Sequence, residues 1–106
     1  MPGAGSLARL DRTVGAEQAF RDEIGTYPAN PEPYRYLILL YTSEGRTREA
    51  ARVVFDLERA APVPASYVAI ASALDTVGDA RGARFWRQRG LRAFPGDTTL
   101  LRLPIR

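Results

Sequence analysis

Like side chains recur along this chain at a fixed step of about 33 to 34 residues, so it folds as a stack of similar units, not around one closed core. One step pairs Tyr34 with Tyr67, Leu37 with Ile70, Tyr41 with Leu74, Gly45 with Gly78, Ala50 with Ala83 and Pro62 with Pro95. Going back one step from the same unit, Ala50, Val54 and Pro62 meet Ala16, Phe20 and Pro28. Each unit then buries its apolar face only by leaning on the next.

The pattern between the proline-marked joints is helical. Tyr34, Leu37, Ile38 and Tyr41 recur at i, i+3, i+4 and i+7, one apolar stripe on a helix over 32–43. A second helix over 47–59 turns Ala50, Val53, Val54 and Leu57 inward and leaves Arg48, Arg52, Glu49 and Glu58 largely outward. The next unit repeats this, with a helix over 65–77 carrying Tyr67, Ile70, Ala71 and Leu74 and another over 79–94. Gly45 and Gly78 suit helix C-termini, and Asp79 suits an N-cap.

The first unit is cut short. Ala16, Phe20 and Ile24 share one face, while Leu7 and Leu10 leave room only for a stub upstream. A single longer helix is the favoured arrangement. The prolines divide the chain into a flexible leader 1–6, a helical repeat domain 7–97 (partial repeat 7–28, repeats 31–62 and 64–95) and a tail 98–106. The tail begins a fourth copy with Leu100, Leu101, Leu103 and Ile105, and Pro104 forbids its continuation as a regular helix.

Composition removes several kinds of chemistry. The 106 residues contain no cysteine and no histidine, so disulfides, thiolate metal sites and the usual general base are missing. All 15 basic residues are arginine, which leaves no Schiff-base or phosphate-loop lysine. The missing lysine points to a GC-rich coding sequence of bacterial type, not to a function. No glycine-rich phosphate loop or metal-ligand spacing is present, and the acids sit beside arginines as solvated ion pairs do. The expectation is a non-catalytic protein with no cofactor and no metal.

No run approaches the about 20 apolar residues a membrane span needs. The first residues lack the features of a secretory signal. A cytoplasmic location is the default expectation. Charge is uneven, since residues 1–79 hold 8 arginines against 11 acids while residues 80–106 hold 7 against a single Asp.

These repeated residues resemble the tetratricopeptide repeat. The large aromatic of the first helix is Tyr34 and Tyr67, the turn glycine is Gly45 and Gly78, the small residue of the second helix is Ala16, Ala50 and Ala83, and the closing proline is Pro28, Pro62 and Pro95. The likeness covers about residues 13–97. It implies an all-α fold of antiparallel helix pairs stacked as a short right-handed solenoid, about five helices in all. Three residues depart from the pattern: Arg87 stands where a large apolar residue is usual, with Trp86 beside it, Gly90 replaces an alanine, and Ile38 is bulkier than usual.

The resemblance further implies a peptide or partner protein held on a concave groove lined by the first helix of each pair. Carried over residue by residue, that groove shows Glu32, Arg35, Tyr36, Leu39, Thr42 and Ser43 from one helix. Ala65, Val68, Ala69, Ser72, Asp75 and Thr76 come from the next. Leu39 stands where the chaperone-binding members have an asparagine, so that role is not expected. The alternative function is electrostatic: Arg81, Arg84, Arg87 and Arg92 of the last main helix, with Phe85 among them, contacting an acidic partner or nucleic acid, the latter being the less favoured. A short array also leaves its last apolar face uncovered. That predicts either a homodimer through the C-terminal helix and tail or a tail folded over that face.

Overall fold

The computed structural model describes residues 3–105, with side chains from 14 to 105. Leu7 and Leu10 therefore lie outside the described side chains. Six helices follow one another: α1 (Gly3–Thr26), α2 (Pro31–Ser43), α3 (Thr47–Ala60), α4 (Pro64–Thr76), α5 (Ala80–Ala93) and α6 (Thr98–Arg102). No strand occurs among the described residues. The first unit is one uninterrupted helix, as favoured above, and it begins inside the segment set apart as a leader.

The repeat is legible in the element boundaries. The step that carries Tyr34 onto Tyr67 also lays α2 on α4 and α3 on α5, with the same lengths of 13 and 14 residues. Pro31 and Pro64 open α2 and α4, where a missing N–H breaks no helical bond and the fixed φ is already helical. Gly45 and Gly78 stop those helices with φ of 76° and 88°, a conformation that a β-carbon disfavours. The same two hydrogen bonds close each stop. The Arg46 N–H reaches the Tyr41 carbonyl at 2.8 Å, and the Asp79 N–H reaches that of Leu74 at 2.9 Å. The Gly45 N–H reaches Thr42 at 3.1 Å and that of Gly78 reaches Asp75 at 3.0 Å. Asp79 does cap α5, its carboxylate accepting from the Gly82 N–H at 2.9 Å.

Packing follows the stripes. Tyr34, Leu37, Ile38 and Tyr41 of α2 are buried against Ala50, Val53, Val54 and Leu57 of α3. Tyr67, Ile70 and Ala71 of α4 continue the core to Ala83 and Trp86 of α5. Leu74 is only half-buried. α2 and α4 lie side by side, and Ser66, Ala69 and Ala73 are buried small residues on α4. The buried tyrosines keep their hydroxyls satisfied: Tyr34 donates to the Pro28 carbonyl (2.8 Å), Tyr41 to Glu17 (3.0 Å) and Tyr67 to Glu58 (2.9 Å).

The tail folds over the end of the array. Asp97 accepts from the Leu100 N–H at 2.9 Å and caps α6, which packs on α4 and α5 and stops before Pro104. Leu100 stands one repeat step after Tyr67 and is fully buried, so α6 is the start of a third α2-like helix. Leu103 and Ile105 pack on the core beside it. A sixth, short helix is thus added to the five main ones. The molecule measures 53 × 32 × 20 Å, and among the described residues no helix is long and apolar enough to cross a membrane.

Candidate partner-binding groove

An open groove of about 470 Å³ runs between the N-terminal halves of α2 and α4 and ends at α6. Pro31 and Pro64 begin its two walls because both helices start with proline at the same register. Ala65, Val68 and Ala69 form its floor, where alanines leave the space that longer side chains would fill. Glu32, Arg35, Ser72, Asp97 and Thr99 supply polar groups around it.

Arg35 is held in place by its neighbours. Its guanidinium lies 4.8 Å from the centre of the Tyr36 ring and 3.5 Å from the Glu32 carboxylate. Glu32 is fixed in turn by the Asn30 side chain, which accepts from the Glu32 N–H at 3.2 Å. Both charges lie at the mouth of the groove, where solvent screens them.

Of the twelve residues carried over from the family pattern, Glu32, Arg35, Ala65, Val68, Ala69 and Ser72 meet at this groove. The other six lie elsewhere, Thr76 turning its hydroxyl back to the Ser72 carbonyl at 2.9 Å. Tyr36 stacks on Phe20 of α1, with ring centres 5.3 Å apart, because α1 packs against that side of α2. Leu39 is half-buried on the core, and Thr42 lines a different cleft between α3 and α5. Ser43 turns its hydroxyl back to the Leu40 carbonyl at 2.7 Å, and Asp75 is half-buried on α4. Conversely, Asp97 and Thr99 belong to the groove although the family pattern does not place them there. The signal that could have found Asp97 is the repeat step itself, which carries Pro31 and Pro64 of the groove walls onto it.

The arginine face of α5 is narrower than the sequence suggests. Arg81, Arg84 and Arg92 are exposed, with Phe85 between them. Arg87 leaves that face: it is half-buried, and its Nη1 donates to the Leu103 carbonyl at 3.2 Å. Its place on the helix turns it toward the tail, about a sixth of a turn short of a full circuit from Arg84.

Two clusters of acids and arginines tie neighbouring helices together. Glu17 and Arg21 of α1 meet the Tyr41 hydroxyl, and Arg46 reaches Glu17 and Glu44 at 3.0 Å each as well as Glu49. The Arg46 guanidinium also covers the Tyr41 ring at 4.4 Å. Hydrogen bonding to Arg46 holds both Glu17 and Glu49 below the ordinary carboxylate range. Farther along, Arg89 of α5 donates to Glu58 of α3 at 3.0 Å and lies over the Trp86 ring, while Tyr67 of α4 donates to the same carboxylate. The Arg89 hydrogen bond lowers the Glu58 pKa, and burial, with Glu58 accepting its proton, raises that of Tyr67. These carboxylates stay ionised as bracing groups between helices.

No protein-family model matches the chain, and neither a curated protein nor a solved structure matches it.

Proposed function

We propose that this chain is a non-catalytic interaction module of tetratricopeptide type, which holds a segment of a partner protein in the groove between α2 and α4. The observation that carries the reading is the groove's make-up: an open floor of Ala65, Val68 and Ala69 between two proline-started helices, with Arg35, Ser72 and Asp97 at its margin. Apolar side chains of a bound segment would lie on that floor, and its backbone or polar groups would meet the marginal residues. The reading also draws on the repeat step and on matching helix boundaries in α2/α4 and α3/α5. Leu100, Leu103 and Ile105 of the tail pack on the core, α6 lies against α4 and α5, and the tail reaches the groove at Asp97 and Thr99.

Peptides selected from a displayed library against the whole chain test this reading, with affinities measured by fluorescence polarisation. Val68→Glu and Ser72→Arg should each weaken the selected peptides by about tenfold or more, since a charge or bulk enters the floor. Peptides that bind both variants as tightly as the original chain would place the docking surface elsewhere.

A further inference from the structure

We propose that the outer face of α3 and α5 is a second docking surface, built for an acidic amphipathic segment of a partner protein. Arg48, Arg52, Phe55 and Arg59 recur at i, i+4, i+7 and i+11, so they share one side of α3. The repeat step carries them onto Arg81, Phe85, Gln88 and Arg92 of α5. Each helix thus presents an arginine at either end of its exposed side and a phenylalanine between them. Phe55 is 51% and Phe85 58% exposed.

Of the four acids on α3 and at the start of α5, three are engaged elsewhere, and Asp56 pairs with Arg59 of the face itself. Glu49 binds Arg46, Glu58 binds Arg89, and Asp79 caps the Gly82 N–H. Asp56 stands 3.8 Å from Arg59. Among the described residues, Arg48, Arg52, Arg81 and Arg92 have no acidic partner and are exposed. Four guanidiniums on adjacent helices call for carboxylates, which they bind in a planar, bidentate way.

Between the two rows lies an apolar cleft. No Cα of α3 comes within 8 Å of one in α5, and the helices touch through Phe55 set edge-on to Trp86 at 5.4 Å. The space left, about 210 Å³, is bounded mainly by Ala51, Val54, Val77 and the Phe55 and Trp86 rings, with Thr42, Thr47 and Asp79 also lining it. It has room for a leucine or phenylalanine side chain. A segment with acids on either side of an apolar residue matches both features at once.

The same arginines would attract a phosphate backbone, but that ligand leaves the cleft empty. Phe55 and Phe85 both meet Trp86 at steep angles, 66° and 81°. They form no row of parallel ring faces for bases to stack on. The face therefore favours a protein segment.

Fluorescence polarisation on the whole chain provides the test. The probe is a labelled peptide of about 15 residues with a leucine every third or fourth position and glutamates between. Its companions are a twin with glutamine for glutamate, a polyglutamate without leucine, and a single-stranded oligonucleotide. The acidic amphipathic peptide should bind best, and its affinity should fall as salt rises through about 0.15 M. Arg48→Glu combined with Arg81→Glu should weaken it by about tenfold or more, and Ala51→Trp, which fills the cleft, should weaken it but not polyglutamate. A peptide selected for the α2–α4 groove should fail to displace it, which separates the two surfaces. Equal binding of the glutamine twin, indifference to the double arginine variant, tighter binding of the oligonucleotide, or no binding of any probe would each overturn the proposal.

Discussion

Gly90 of α5 lies so close beneath Tyr67 of α4 that a β-carbon built on it would stand 2.7 Å from the Tyr67 Cβ. The Leu100 Cδ1 would be 3.0 Å away on the other side. Gly90 is thus the place where α4, α5 and α6 come together.

Gly90→Ala should destabilise the fold. Overpacking a tight contact costs about 1–3 kcal/mol, and the better helix propensity of alanine returns at most about 1 kcal/mol. The denaturant midpoint should fall, by a net loss of up to about 2 kcal/mol if the full propensity gain is realised. A midpoint that rises would mean that Tyr67 gives way freely.

Leu100→Ala removes the buried anchor of the tail. The expected loss is about 2–4 kcal/mol, read from urea unfolding. Uncovering Tyr67 and Phe94 should also promote self-association, visible as a concentration-dependent mass in light scattering. A stable, strictly monomeric variant would show that α6 adds nothing to the core.

Ser66 is fully buried, and its hydroxyl has no hydrogen-bond partner. It stands one repeat step after Pro33, which is buried in the same way on α2. Ser66→Ala removes an unsatisfied polar group at a helical position, so stability should rise by roughly 1 kcal/mol. Thermal melting of the two forms decides, and a lower melting temperature would contradict the absence of a partner.

Glu58 ties α3 to α4 and α5, and its carboxyl titrates below its ordinary value because Arg89 and then Tyr67 donate to it. In the unfolded chain a glutamate titrates near about pH 4.3. The folded form thus holds its charge to lower pH than the unfolded form. The stabilisation is fully present above about pH 4.3 and is lost as pH falls through the folded value. Urea midpoints taken from neutral to about pH 3 should fall less steeply for Glu58→Gln than for the original chain. Parallel curves would remove Glu58 from the acid sensitivity.

Most of the fold can be read from the sequence because its signals are local. Pro31 and Pro64 start helices, Gly45 and Gly78 stop them at positive φ, and Asp79 caps the helix that follows. The stripe of Tyr34, Leu37, Ile38 and Tyr41 gives the buried side of α2 without reference to its neighbour. Periodicity does not give the distance between helices or the place where a tail settles. For that reason Tyr36, expected in the groove, stacks on Phe20, and Arg87, expected among the exposed arginines, reaches the Leu103 carbonyl. The cleft beside Ala51 is invisible to periodicity for the same cause, since it exists only because α3 and α5 stand apart. The pairing of Arg48 with Arg81 and of Arg59 with Arg92 follows from the repeat step alone.

Among the described residues, the backbone of α1 packs on α2 alone, and that of α6 on α4 and α5 and not on α2 or α3. Damage at one extremity therefore has no direct route to the other. Deuterium uptake in the native state should be graded: slowest in α2, α3 and α4, quicker toward both extremities. A lesion at Leu100 should loosen α6 and α5 long before the amides around Tyr41 begin to exchange.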